Sequence, residues 1–135
     1  MADGVGAVID RVRYEDLNPR QQENYNIAKL AALLADYGYH CMRLTADWHG
    51  ADLIAHHIDG HDLLVQVKGR FTLRRAYRGK NLWVAFPHNG EWYLFPHDQI
   101  QRAVKARNPK AVNYSWRRPP KWALPLLEPY RIERG

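Results

Sequence analysis

Asp52, Gln66 and Lys68 are polar residues set in two apolar strands. Asp52 opens the run Asp52-Leu53-Ile54-Ala55, and Gln66 and Lys68 sit two apart in Leu64-Val65-Gln66-Val67-Lys68. Burying an ion without a partner costs roughly several kcal/mol, so such strands normally exclude charge. A carboxylate and an amide oxygen on one face can ligate a hard divalent cation such as Mg²⁺ or Mn²⁺, and the Val67 carbonyl lies between them. Such an ion neutralises charge on a phosphodiester under attack and lowers the pKa of a bound water. A neighbouring lysine can stabilise that charge or orient the water. The chemistry expected is metal-assisted phosphodiester hydrolysis.

This chemistry requires the three side chains to share a sheet face. A tight Asp59-Gly60 turn joins the strands, and the loop length sets the pairing. A three-residue loop, Asp59 to His61, pairs Ile58 with Asp62. It then sets Asp52 opposite Lys68 and Ile54 opposite Gln66, all on one face. A two-residue loop sets Asp52 opposite Val67, on the wrong face. The site therefore demands an odd loop or a bulge.

The elements that would hold these strands follow from periodicity. Asn18-Pro19 starts a helix, with Asn as cap and Pro in the first turn. Ile27, Leu30, Ala31 and Leu34 form its apolar stripe up to Tyr37, and Gly38 stops it. Glu23 lies four residues before Ile27, so it should face the sheet and offer a further metal ligand. Strands are expected at His40–Thr45, Ala51–Ile58, Asp62–Gly69, Leu82–Phe86 and Glu91–Phe95, with Asp47 to Gly50 a loop. Arg70–Asn81 fits a loop, a short strand or a helical turn equally. A second helix runs from Pro96-His97-Asp98 to about Arg107. Residues 1–17 lack periodicity and read as a mobile lead-in or an edge element. The tail, 108–135, holds five prolines and should wrap the surface with little regular structure beyond Leu124–Tyr130. The order is α+β, within a single domain over 1–135 whose core spans about 19–107.

Charge points to the partner. Residues 1–65 carry 5 Lys/Arg against 10 Asp/Glu; residues 66–121 carry 13 against 2. Arg outnumbers Lys 14 to 6, and Arg suits gripping phosphate and base edges. Arg70, Arg74, Arg75, Arg78 and Lys80 follow Lys68 directly and could track a DNA backbone. Arg102, Lys105, Arg107, Lys110, Arg117, Arg118 and Lys121 form a second basic group. Either group could instead be a solvated face. The site residues have structural alternatives too: Asp52 a loop cap, Gln66 a bonded core amide, Lys68 a snorkelling strand end and Glu23 a helix-dipole partner.

Other classes find little support. There is no Gly-rich phosphate loop and no serine nucleophile elbow. The single Cys41 and the scattered histidines lack zinc spacing; among the histidines only His49, beside Asp52, is near the site. Trp83, Trp92, Tyr93 and Phe95 read as hairpin core. One cysteine suits a reducing compartment. No apolar run of about 18 residues offers a membrane span, and Met1 to Gly4 lacks a signal-peptide layout. The expectation is a soluble, cytoplasmic protein with no membrane partner.

Gly50-Ala51-Asp52-Leu53-Ile54 with Gln66-Val67-Lys68 resembles the PD-(D/E)xK nuclease superfamily over about residues 19–105. That superfamily includes restriction enzymes, Holliday-junction resolvases and some homing endonucleases. The resemblance implies a restriction-endonuclease-like core, a mixed β-sheet flanked by helices. It implies a Mg²⁺-dependent DNA endonuclease with Asp52 and Gln66 as metal ligands, Glu23 as a further one, and Lys68 as charge stabiliser. Gln66 stands where most members have Glu or Asp, as in Mrr-like enzymes, which makes one metal more plausible than two. Ala51 replaces the usual proline, and the helix usual after the lysine strand has no clear counterpart. Cutting both strands of a duplex needs two sites, hence a homodimer or higher homo-oligomer. The alternatives are a Holliday-junction resolvase and a non-cleaving DNA-binding module.

Overall fold

The computed structural model describes residues 8–134, with the backbone alone at 46–48. The stretch Met1 to Gly4, where no signal peptide was expected, lies outside the described residues. Helix α1 spans Pro19–Ala35. Its start is a reciprocal box: the Asn18 side chain accepts from the Gln21 amide at 2.8 Å, and the Gln21 side chain accepts from the Asn18 amide at 2.9 Å. Such a cap contributes ~1 kcal/mol. Ile27, Leu30, Leu33 and Leu34 form the buried stripe, with Leu33 in the place expected of Ala31.

The strands are β1 Tyr39–Trp48, β2 Ala51–His57, β3 Asp62–Val67, β4 Thr72–Leu73, β5 Leu82–His88, β6 Glu91–Pro96, β7 Tyr114–Ser115 and β8 Arg131–Ile132. Helix α2 is His97–Arg107 and the short α3 is Leu124–Leu127. Six strands form one mixed sheet in the order β1-β2-β3-β5-β6-β8. Only β3 and β5 are parallel in it. The fold is α+β, with helices on both faces of the sheet. α1 covers one face through Leu53, Ala55, Val65, Val67, Ala85 and Trp92. α2 covers the other through Ile100 and Val104 against Val84, Phe86 and Phe95. Truncating a fully buried residue such as Leu30 should cost about 2–5 kcal/mol.

The β2–β3 register answers the parity question. His56 pairs with Asp62 and Leu53 with Val65, so the loop runs from His57 to His61. It is odd, as the shared face requires, but five residues long where three were expected. Ile54 thus faces Leu64, and Asp52 is in line with Gln66 and not with Lys68. The longer loop is held by its own bonds: the His57 amide donates to the His61 carbonyl and the Gly60 amide to the His57 carbonyl, both at 2.9 Å.

Other elements refine or correct the expectations. β1 continues through the expected loop to Trp48, leaving a two-residue turn at His49 and Gly50, both with positive φ. Arg70–Asn81 holds both a short strand, β4, and a 3₁₀ turn at Arg75–Tyr77. No helix follows β3 directly. Of the lead-in, Tyr14–Asp16 is a 3₁₀ turn tied to α1, because Gln22 donates to the Tyr14 carbonyl and Asn26 to its hydroxyl. The tail is not merely a surface wrap. Its prolines break long elements, but Ala111, Val112, Ala123 and Leu127 are buried, β7 pairs with β4 and β8 extends the main sheet.

Candidate active site

Asp52 sits where β2 parts from both neighbours. On one side, residues between Arg43 and Trp48 of β1 bulge opposite it. On the other, the ladder with β3 ends at Leu53–Val65. With no backbone acceptor there, the Val67 amide donates instead to Asp52 Oδ2 at 2.9 Å. In an extended strand the N–H and C=O of one residue point the same way, so the Val67 carbonyl also heads into this gap. Burial raises the Asp52 pKa, and Glu23 pushes the same way; the Val67 amide, Lys68 and Arg43 oppose it.

The gap opens into a cleft of about 640 Å³. Glu23, Asp52 and Gln66 line it together, with Arg20, Arg43 and Lys80 as its cations. Ala76 and Tyr77 of the 3₁₀ turn form part of its wall. A smaller adjoining cleft carries Lys68, with Tyr14, Glu23, Gln66 and Val67. The two share Glu23 and Gln66, so the five residues singled out as ligands and charge stabiliser gather around one depression.

Glu23 departs from its expected pose. It faces the cleft rather than being buried against the sheet: its side chain is 55% exposed and pairs with Arg43 of β1 at 3.1 Å. Arg43 also donates to the Asn24 side chain at 2.5 Å. The buried residues of α1 begin at Asn26, and its first turns line the cleft through Arg20, Glu23 and Asn24. Arg43 and Arg20 are functional candidates that sequence reasoning missed, as is Tyr14. Arg43 carried no local signal, because its partners lie about 20 positions away, on α1.

The basic segment is placed by a buried scaffold on α2. His97 has a fully buried side chain. Its Nε2 accepts from the Arg74 amide at 3.1 Å, so the proton sits on Nδ1, which donates to Asp98 at 2.9 Å. Burial pushes the His97 pKa down, against the pull of Asp98. Asp98 also accepts from the Gly79 amide at 2.9 Å. Gln101 accepts from Arg78 and donates to the Val112 carbonyl at 2.6 Å. From the tail, Asn113 accepts from the Arg75 amide and Trp116 stacks on Phe71. Arg70, Arg74, Arg75, Arg78 and Lys80 all remain exposed on this frame. Lys80 faces the main cleft, while Arg78 shares a shallow groove with Arg102 and Lys105 of the second basic group. His49 is exposed at the turn and lines neither cleft.

The cleft thus brings oxygen donors and several cations around one depression. That arrangement can hold a divalent ion against an anionic ligand. No helix among the described residues is long and apolar enough to cross a membrane. No family model matches the chain, and no curated protein does. Among solved structures it is similar to a bacterial homing endonuclease, I-Ssp6803I, at 19% identity and a TM-score of 0.45, over 85% of this chain and 88% of that one. A likeness of that degree leaves the chemistry to be argued from the cleft itself.

Proposed function

We propose that this protein is a divalent-metal-dependent DNA endonuclease of the PD-(D/E)xK type. The observation that carries the reading is the Asp52 carboxylate, half-buried at the split between β2 and β3 beside Gln66, with Lys68 in the adjoining cleft. A structural cap would need only the Val67 amide. The oxygens of Gln66, Glu23 and the Val67 carbonyl around it suit a hard ion. Asp52 Oδ2 takes the Val67 amide, so Oδ1 would be the ligating atom. A bound Mg²⁺ or Mn²⁺ would neutralise phosphate charge and acidify a water.

The chain's own residues do the remaining work. Lys68 donates to the phosphate oxygen on which charge develops, or holds the attacking water. Arg20, Arg43 and Lys80 bind flanking phosphates. Arg70, Arg74, Arg75 and Arg78 extend that track along the duplex. Neutral Gln66, and Glu23 already paired with Arg43, favour one ion over two. Two such sites are needed to cut a duplex, so the working form is a homodimer or higher homo-oligomer. A cytoplasmic location fits a free Cys41.

The pairing of Arg43 with Glu23 favours one second reading, a DNA-binding module of the same fold that does not cleave. Plasmid, linear and branched DNA incubated with Mg²⁺, Mn²⁺ or EDTA separates the two. The endonuclease nicks or cuts at least one substrate only with metal, and Lys68→Ala abolishes cutting while retaining binding. Preferred cutting of branched DNA would specify a junction resolvase. Binding without metal-dependent cleavage of any substrate would leave the binder.

A further inference from the structure

The far end of the same hairpin carries a second constellation. Asp52 and His57 are five residues apart on β2, so roughly 17 Å separates the two ends. In the five-residue turn, His57 Nδ1 and His61 Nδ1 both approach Asp59 Oδ1, at 3.1 and 2.5 Å. One donor atom from each of the three residues lies within 4.8 Å of the others. The opposite nitrogen of each ring is held by an oxygen: His57 Nε2 by the Tyr37 carbonyl at 3.0 Å, His61 Nε2 by the Tyr39 hydroxyl at 2.8 Å. Metal-ligating histidines are oriented in this way, the outer oxygen fixing the tautomer and aiming the inner nitrogen.

We propose that His57, Asp59 and His61 form a binding site for a borderline transition-metal ion such as Zn²⁺ or Ni²⁺. Two imidazole nitrogens and one carboxylate are a donor set for those ions and a poor one for Mg²⁺. The His61 amide donates to Asp59 Oδ1 at 3.0 Å and fixes that carboxylate between the two rings. The ion replaces the Asp59 amide as partner of His57 Nδ1, a bond of 3.1 Å. Gly60, at φ +103 with nothing within 4 Å of its would-be Cβ, leaves that side of the turn open to solvent. The ion would clamp the turn whose length sets the register of Asp52 and Gln66. His56 and Asp62, bonded at 2.6 Å, are a neighbouring His–Asp pair with only two donors and provide a control.

The test uses the full chain, stripped of metal. Calorimetric titration with Zn²⁺, and the visible absorption of Co²⁺ as substitute, should give one site of roughly micromolar affinity. His57→Ala and His61→Ala should each weaken it at least tenfold. His56→Ala should leave it unchanged. Circular dichroism checks that the variants fold. Nitrogen-15 NMR of the unaltered protein gives an independent reading: Zn²⁺ should shift Nδ1 of His57 and His61 and not that of His56 or His40. No binding at about 1 mM Zn²⁺, binding indifferent to His57 and His61, or shifts confined to other histidines would overturn the proposal.

Discussion

The Val67 amide and the Asp52 carboxylate bond at 2.9 Å across the point where two strands separate. A side chain there takes the place of a missing ladder acceptor, and in doing so a charge is held half-buried at the mouth of a cleft. The cost of that burial is visible in the raised Asp52 pKa.

Burial makes the folded, metal-free protein hold the Asp52 proton to higher pH than the unfolded chain does. Its contribution to stability is therefore present at low pH and lost as pH rises through the raised pKa. Ion binding has the opposite sense, since the ion must displace the proton: Mg²⁺ affinity should weaken as pH falls into that range. Asp52→Asn keeps an oxygen for the Val67 amide. It should melt at or above the unaltered protein without metal and lose the rise in Tm that Mg²⁺ gives. Melting curves with and without Mg²⁺ across pH check both points.

Gln66→Glu restores a negative charge where the cleft has a neutral ligand. Gln66 is only half-buried, so the variant should fold normally. Its divalent-ion affinity should rise on the order of tenfold, and the metal dependence of cleavage should change. A variant that unfolds would instead mark Gln66 as a core amide. Calorimetry and circular dichroism decide it.

His97→Ala would strip the Arg74 amide of its acceptor inside the protein. The expected cost is roughly 1–3 kcal/mol, with looser DNA binding because the basic segment loses its anchor. The lowered His97 pKa has its own signature: stability is complete above the ordinary value of 6.5 and declines as pH falls below it, because the unfolded chain takes the proton first. His97→Gln should flatten that decline. Denaturant melts at several pH values measure both effects.

DNA affinity should fall steeply with salt. Arg74→Ala, Arg78→Ala and Lys80→Ala should each lower the log–log salt slope by about 1, with little effect on fold because all three side chains are exposed. A slope unchanged in all three would move the DNA track elsewhere. Fluorescence anisotropy over a salt series reads it.

Much of the site was legible because β side chains repeat every two residues. Asp52, Gln66 and Lys68 fall on one face for any odd loop, so an error of two residues in loop length left the constellation intact. Helix α1 was legible through Asn18 and its apolar stripe. What failed was long-range or curved. The Arg43–Glu23 pair joins elements about 20 residues apart, and no periodicity points to it. His57, Asp59 and His61 alternate like strand residues, and only the curl of the five-residue turn brings them together. In the tail, proline content masked the apolar residues that complete the core beside α2.

The most direct test is the rate of plasmid nicking against Mg²⁺ concentration for the unaltered protein and Asp52→Asn, with DNA affinity measured in parallel. A saturable, Mg²⁺-dependent rate that falls by at least about 100-fold in Asp52→Asn, at equal DNA affinity, is the predicted result. Equal rates in the two proteins would contradict a metal site built on Asp52.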